Sequence, residues 1–120
     1  MRVLTVVEDD VGMRVLIQEL LRDDDRIELT PAAATLDEAL ELAGATQPAL
    51  VILDHYIEGE VMGLQAAPML KKIAPECKIL LFTSHDLTVE ASREPAIDGI
   101  LLKRNFDHLL PTVQSLLGLD

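Results

Sequence analysis

Residues 49–54 read ALVILD, five apolar residues that run into a carboxylate. A strand written this way has no polar face, so helices must cover it on both sides, which is the setting of a parallel sheet. Residues 77–84, CKILLFTS, repeat the pattern and end in two hydroxyls. These two stretches read as the central strands of one sheet. Working outward, RVLTVV (residues 2–7) reads as the first strand and GILLK (residues 99–103) supplies the last. A second strand lies in IELTPAAA, residues 27–34. Pro31 lacks a ladder donor there, so that strand fits an edge.

The segments between the strands carry a helical period. Met13, Leu16, Ile17, Leu20 and Leu21 fall on one face of a first helix. Thr35 and Glu38 form a capping-box signature ahead of Leu36, Ala39, Leu40 and Ala43. Ala66, Met69, Leu70 and Ile73 outline a third helix, and Pro68 places the start of regular helix near Ala67 or Pro68. The stretch SHDLTVEASREPAIDG leaves room for only a short fourth helix, which Pro95 ends by Glu94. Phe106, Leu109, Leu110, Val113 and Leu117 stripe the last helix, after a cap at Asn105 or Asp107. Five strands alternating with about five helices give an α/β fold. With the second strand at an edge, it is a flavodoxin-like, doubly wound, five-stranded parallel sheet of order 2-1-3-4-5.

At 120 residues and 49% apolar content, the chain suits one domain with one full core. Its formal charge of −11 opposes nucleic acid or an anionic membrane as a main partner. No apolar run is long enough to insert into a bilayer. A lone Cys77 forms no internal disulfide and the N-terminus lacks a signal-peptide pattern, so a cytoplasmic setting is expected. Cys77 opens an apolar run and reads as a buried, inert thiol. His55, His85 and His108 show no metal-ligand spacing and read as exposed loop or helix residues. The four Met suggest only core packing.

In doubly wound sheets the site lies beyond the carboxyl ends of the strands. The first strand ends in Glu8, Asp9 and Asp10, the third in Asp54, the fourth in Thr83 and Ser84, and the fifth in Lys103. Ser84 is equally suited to cap the next helix. Crowded carboxylates repel, and a cation offsets them. Oxygen ligands from two strands suit Mg²⁺, which retains several waters and borrows phosphate oxygens. Asp54 is then a usable nucleophile, with Thr83 and Lys103 placed to hold equatorial phosphoryl oxygens, so the constellation asks for phosphoryl transfer.

These strand-end residues resemble the receiver domain of two-component response regulators, in its single-domain, chemotaxis-type architecture, over essentially the whole chain. The resemblance implies that Asp54 accepts a phosphoryl group from a phosphohistidine on a sensor histidine kinase or a histidine phosphotransfer protein. It also implies Mg²⁺ held directly by Asp9, Asp54 and the backbone carbonyl of Tyr56, with Glu8 acting through water. Thr83 becomes the switch hydroxyl and Lys103 the phosphate-binding lysine. Such a protein is a signalling phosphoacceptor rather than an enzyme. With residues 1–120 as the receiver and no output domain expected after LLGLD, its effect passes through a downstream protein target.

Several positions depart from that pattern. HYIEGEVMG, residues 55–63, lacks the usual proline and reaches its glycine one residue late. Arg104 stands where a proline is common, so a trans Lys103–Arg104 bond is expected. Ile100 replaces an aromatic residue that swings inward with the switch threonine. The resemblance also implies that the residues two beyond the acceptor and two beyond the threonine, here Tyr56 and His85, flank in-line attack of water on the acyl phosphate. A flavodoxin would need a phosphate cradle in place of EDDVGM. A haloacid dehalogenase-type phosphatase would want an Asp in place of Tyr56. The remaining alternative is an atypical receiver acting as a phosphorylation-independent protein-interaction module.

Overall fold

The computed structural model of the chain describes residues 2–57 and 61–119. Strands β1 (Arg2–Val7), β2 (Ile27–Leu29), β3 (Leu50–Leu53), β4 (Lys78–Thr83) and β5 (Gly99–Leu102) alternate with helices α1 (Val11–Leu21), α2 (Leu36–Thr46), α3 (Gly63–Ile73), α4 (Thr88–Ser92) and α5 (Leu109–Leu117). The sheet order is β2-β1-β3-β4-β5, with every pairing parallel. This is the doubly wound α/β sheet expected from the strand patterns.

The unbroken apolar run of β3 has a direct cause in the layering. Val51 and Leu53 enter one core with Ala39 and Ala43 of α2, Ala66, Ala67 and Leu70 of α3, and Ala91 of α4. Leu50 and Ile52 enter the opposite core with Ile17 and Leu21 of α1 and Leu109, Val113 and Leu117 of α5. None of the four β3 residues is more than 1% exposed, and each contributes about 1.5–3 kcal/mol by burial. Ile79 and Leu81 of β4 join the first core, and Leu80 and Phe82 the second. Cys77 is buried as expected, and burial pushes its thiol pKa up. Among the described residues no helix is long and apolar enough to cross a membrane.

The second strand is brief because Pro31 interrupts it. β2 pairs with β1 only through Ile27–Leu29, and pairing resumes at an isolated bridge between Val7 and Ala33. Across the gap the Thr30 and Thr5 hydroxyls meet at 3.0 Å. The bridge also fixes the residue just past β1, since Glu8 N–H donates to the Ala33 carbonyl at 2.8 Å. Thr35 caps α2 as expected, its Oγ1 accepting from Glu38 N–H at 3.2 Å.

Two helix expectations are corrected. α3 begins at Gly63, not near Pro68, and Pro68 lies inside it. A mid-helix proline forfeits one backbone hydrogen bond, but Pro68 is on the exposed side. The buried stripe is Gly63, Ala66, Ala67 and Leu70, whereas Met69 and Ile73 are 45% and 38% exposed. Small residues let α3 lie close to the sheet, so the larger apolar ones are rotated outward. Met62 is likewise 37% exposed, so the methionines are not all packing residues. The second correction follows β5, where residues Lys103–His108 form a 3₁₀ segment with a kink at Asn105. That segment turns with a period of three, which takes Phe106 off the stripe and leaves it 42% exposed. His108, rather than Asn105 or Asp107, stands at the N-cap of α5.

The turn after α1 is tied to α5 by a buried carboxylate. Asp24 accepts from Arg26 Nε at 2.9 Å and Nη2 at 2.7 Å, and from Gln114 Nε2 at 3.0 Å. The Arg26 side chain first, and then Gln114, hold the Asp24 carboxyl well below the usual 3.8. A depressed folded pKa gives stability that is complete above the unfolded value and lost as pH falls through the folded one. Asp24→Asn is therefore expected to lower the melting temperature at neutral pH, by a margin that shrinks as the solution is acidified below about pH 4. Thermal melts across that range check it; a deficit that does not shrink in acid would assign the effect to packing rather than charge.

Candidate functional site

Parallel pairing places the strand ends side by side. Val7 is in register with Leu53, and Asp54 N–H donates to the Val7 carbonyl at 3.1 Å. Glu8 and Asp54 thus leave adjacent strands together, 2% and 7% exposed. Lys103, directly after β5, reaches both: its Nζ is 2.8 Å from Glu8 Oε1 and 3.3 Å from Asp54 Oδ2. Asp9 is exposed, yet carboxylate oxygens of Glu8, Asp9 and Asp54 all lie within 4.8 Å of one another. Three carboxylates against one ammonium leave a net negative crevice.

Charge and burial compete here. Burial pushes the Glu8 carboxyl up, the Lys103 hydrogen bond opposes it, and the Asp54 charge adds to the rise. Burial alone would lower Lys103, but the Glu8 hydrogen bond and the Asp54 charge outweigh it and raise its pKa. The lysine is therefore a firm cation. The acidic run is divided by local geometry: Glu8 Oε2 accepts from Asp10 N–H at 3.2 Å, and Asp10 Oδ1 accepts from Gly12 N–H at 3.2 Å, capping α1. Asp10 is thereby occupied at a helix N-terminus, where a carboxylate is favoured, while Asp9 stays with the crevice.

Thr83 ends β4 fully buried, its Oγ1 accepting from His85 N–H at 3.2 Å. It sits at the sheet's carboxyl edge, and among the described residues it makes no hydrogen bond to the three carboxylates. Ser84 is exposed and does not cap α4; the first turn there is held by Asp86 Oδ1, which accepts from Thr88 N–H at 3.1 Å. Tyr56 follows Asp54 by two residues and is 47% exposed. Its ring packs edge-on against His55 at 4.8 Å and His85 at 4.9 Å, joining the loops after β3 and β4.

Three features were not legible in advance. His55 is buried rather than exposed, and its Nδ1 has no hydrogen-bond partner among the described residues. Burial lowers the His55 pKa, with the Asp54 charge opposing. The second is Gly63, where a Cβ would stand 2.5 Å from the Asp54 carbonyl oxygen and 2.8 Å from His55 Cα. Both are backbone atoms that cannot give way, so only glycine fits, and its N–H donates to the His55 carbonyl at 2.6 Å. The third is the pairing of Lys103 with Glu8 as well as Asp54. Among the departures, the Lys103–Arg104 bond is trans, as expected. Ile100 is half-buried against the α2–α3–α4 core. Residues 58–60 of the loop after Asp54 lie outside the described residues.

Comparison with known proteins points one way. The profile of the response regulator receiver domain matches residues 4–114. Response regulator protein VraR of Staphylococcus aureus (strain Mu3 / ATCC 700698) is 29% identical over 99 residues, 81% of this chain and 47% of that protein. The chain thus spans about half the length of the curated relatives it matches. Response regulator protein TrrA from Thermotoga maritima, solved in complex with Mg(2+)-BeF, is 31% identical with a TM-score of 0.84, covering 97% of this chain and 99% of that one. A LuxR-family DNA-binding response regulator from Staphylococcus aureus shares the fold, with a TM-score of 0.85 at 21% identity over 98% of this chain and 99% of that one. Matched over residues 4–114, the chain belongs to the response regulator receiver domain family.

Proposed function

We propose that Asp54 is the phosphoacceptor of a two-component phosphorelay and that Glu8, Asp9, Asp54 and the Tyr56 carbonyl hold Mg²⁺ beside it. The observation that carries this reading is the single ammonium of Lys103 placed between Glu8 and Asp54. The donor set fits a small, hard dication: carboxylates from two strands, clustered within 4.8 Å, leave room for the waters that Mg²⁺ retains. When bound, the dication offsets charge on the phosphoryl oxygens.

The residues of the chain then divide the chemistry. An Asp54 carboxylate oxygen attacks phosphorus in line as the phosphorus–nitrogen bond of the donor phosphohistidine breaks, its electron pair staying on the imidazole. Lys103 exchanges part of its contact with Asp54 for an equatorial phosphoryl oxygen. The Thr83 hydroxyl accepts from His85 N–H and keeps its proton to donate to another oxygen. That contact draws the loop after β4 toward the phosphate. With Ile100 in place of a swinging aromatic, this loop is the element that carries the change to the surface. Val11 and Val15, 65% and 50% exposed one turn apart on α1, give a donor or target protein apolar footing beside the acidic stretch. The protein acts as a signalling phosphoacceptor that promotes only its own phosphotransfer and slow dephosphorylation. Its donor is a sensor histidine kinase or histidine phosphotransfer protein.

Incubation with Mg²⁺ and acetyl phosphate, followed by intact mass measurement, is expected to show the gain of one phosphoryl group. Asp54→Asn should abolish that gain. Labelling that persists in the variant would move the acceptor, and a wild type that gains nothing would favour a phosphorylation-independent interaction module.

The division of the acidic run predicts unequal roles for its members. Asp9→Ala should weaken Mg²⁺ binding by on the order of tenfold or more, while Asp10→Ala leaves it nearly unchanged because that carboxylate is engaged at the cap of α1. Equal losses in a titration would remove Asp9 as the distinguishing ligand.

On this reading the ring of Tyr56, which packs against His55 and His85 two residues past Asp54, serves to obstruct water on its way to the acyl phosphate. The phosphoprotein is expected to be long-lived, and Tyr56→Asn to hasten decay several-fold after the donor is removed. Decay no faster than wild type would show that this side chain does not set the lifetime.

A further inference from the structure

Helix α2 is acidic: Leu36–Thr46 carries Asp37, Glu38 and Glu41 and no cationic residue. Carboxylates in a first helical turn are favoured by the helix dipole, and Glu38 is also held there, accepting from the Thr35 hydroxyl at 3.2 Å. Glu41 lies beyond that turn and is exposed, and its carboxylate forms no hydrogen bond or ion pair among the described residues. The two glutamates stand one turn apart on the helix surface, and both line a cleft of about 300 Å³ at the β2 edge of the sheet. Its other lining residues are Pro31 and Ala32, just past β2, and Leu42 and Ala45 of α2.

Both supports of this cleft are fixed. Thr30 N–H donates to the Leu4 carbonyl at 2.9 Å and Ala33 N–H to the Val6 carbonyl at 2.8 Å, so the Pro31–Ala32 pair is tied to β1 at either end. Ala39 and Ala43, neither more than 1% exposed, seat α2 on the core. A cleft framed in this way is formed before anything enters it, which lowers the ordering cost of binding.

Two carboxylates beside an apolar lining call for a cation with an apolar stem. An arginine side chain has both parts: its methylenes lie along apolar surface, and its planar fork of donors suits carboxylate oxygens. A free small cation is less suited. Pro31, Glu38, Glu41 and Ala45 are all exposed, and so open a rim leaves a small molecule largely in water, whereas small-molecule sites bury most of their ligand. A second copy of this chain brings another charge of −11 and is repelled. A basic segment of another protein is attracted by the same charge.

We propose that the cleft between α2 and the Pro31–Ala32 segment docks a partner protein through an arginine flanked by apolar residues. α2 and α1 pack on opposite cores, so this surface lies on the other face of the sheet from Val11 and Val15. Docking here needs no phosphoryl group on Asp54 and stands apart from the phosphoacceptor reading.

The probe is the peptide acetyl-Leu-Arg-Leu-amide, titrated into isotope-labelled protein at an ionic strength of ~0.1 M, where the Debye length is about 10 Å. Amide shifts are expected to centre on Ala32, Leu42 and Ala45. The same peptide with citrulline, a neutral isostere of arginine, should move them far less. Glu38→Gln and Glu41→Gln should each weaken binding about two- to fivefold, and Ala45→Lys, which sets an internal cation one turn past Glu41, should remove it. Asp37→Asn deletes the same charge from the same helix outside the cleft and should cost less than either glutamine variant. Absence of localised shifts overturns the proposal, as do shifts centred on Glu8, Asp9 and Asp54, or a citrulline peptide that binds equally well. A loss in Asp37→Asn as large as in Glu38→Gln would reduce the attraction to the overall charge of the chain and overturn it too. n-Butylguanidinium that binds as tightly as the peptide would make the cleft a site for a free small cation, and the partner protein would fall. Because no arm involves phosphoryl transfer, none of these results bears on Asp54 as acceptor.

Discussion

One ammonium between two buried carboxylates organises the carboxyl edge of this sheet. Glu8 and Asp54 leave neighbouring strands in parallel register, so their charges are forced together, and removing one partner from a buried ion pair typically costs about 3–5 kcal/mol. The compensating cation comes from the far side of the sheet. In the order β2-β1-β3-β4-β5, Lys103 must reach across the ends of β4 and β3 to meet Glu8, 95 residues away in sequence. The pair therefore fastens the first strand to the last over the place where Thr83 is buried. Any group that draws Lys103 away from Asp54 alters the ties among three strand ends at once.

The fold was legible wherever a strand is buried on both faces. ALVILD and CKILLFTS serve two cores each, so Leu50–Leu53 and Ile79–Phe82 are apolar on both sides and no phase needs to be chosen. Legibility failed where close approach favours small side chains. In α3 the residues nearest the sheet are Gly63, Ala66, Ala67 and Leu70, while Met69 and Ile73 carry the stronger apolar signal and lie outward. Periodicity weighted by hydrophobicity finds the larger residues and misplaces the face. The start of α5 was obscured differently, because a 3₁₀ segment shifts the angular position of Phe106 without any change in composition.

The candidate site was more legible than the helices, since a parallel sheet gathers the residues that follow its strands. Glu8, Asp9, Asp54, Thr83 and Lys103 could each be found by that rule alone. Their pairings could not. Lys103 was expected to hold phosphate, and its bond to Glu8 depends on side-chain reach across β4 and β3. His55 looks like any polar residue after a strand, and nothing in its neighbours announces that it is buried with the Tyr56 ring against it. Asp10 shows the converse, an acidic residue in a conspicuous run whose role is local, at the start of α1.

Gly63 has a bearing on how this chain can vary. Its N–H meets the His55 carbonyl at 2.6 Å, and its missing side chain lets α3 begin against the backbone of Asp54. The segment between those two residues is thus pinched shut at its base. Closing such a loop costs only slightly more free energy as it lengthens, by about 0.6 kcal/mol per doubling. Residues can be gained or lost beyond the pinch while the acceptor carboxylate stays fixed to the start of the helix. The late glycine of this loop is then a difference in length that leaves the backbone of Asp54 tied to the start of α3, so the anchorage of the acceptor does not depend on how many residues the loop holds.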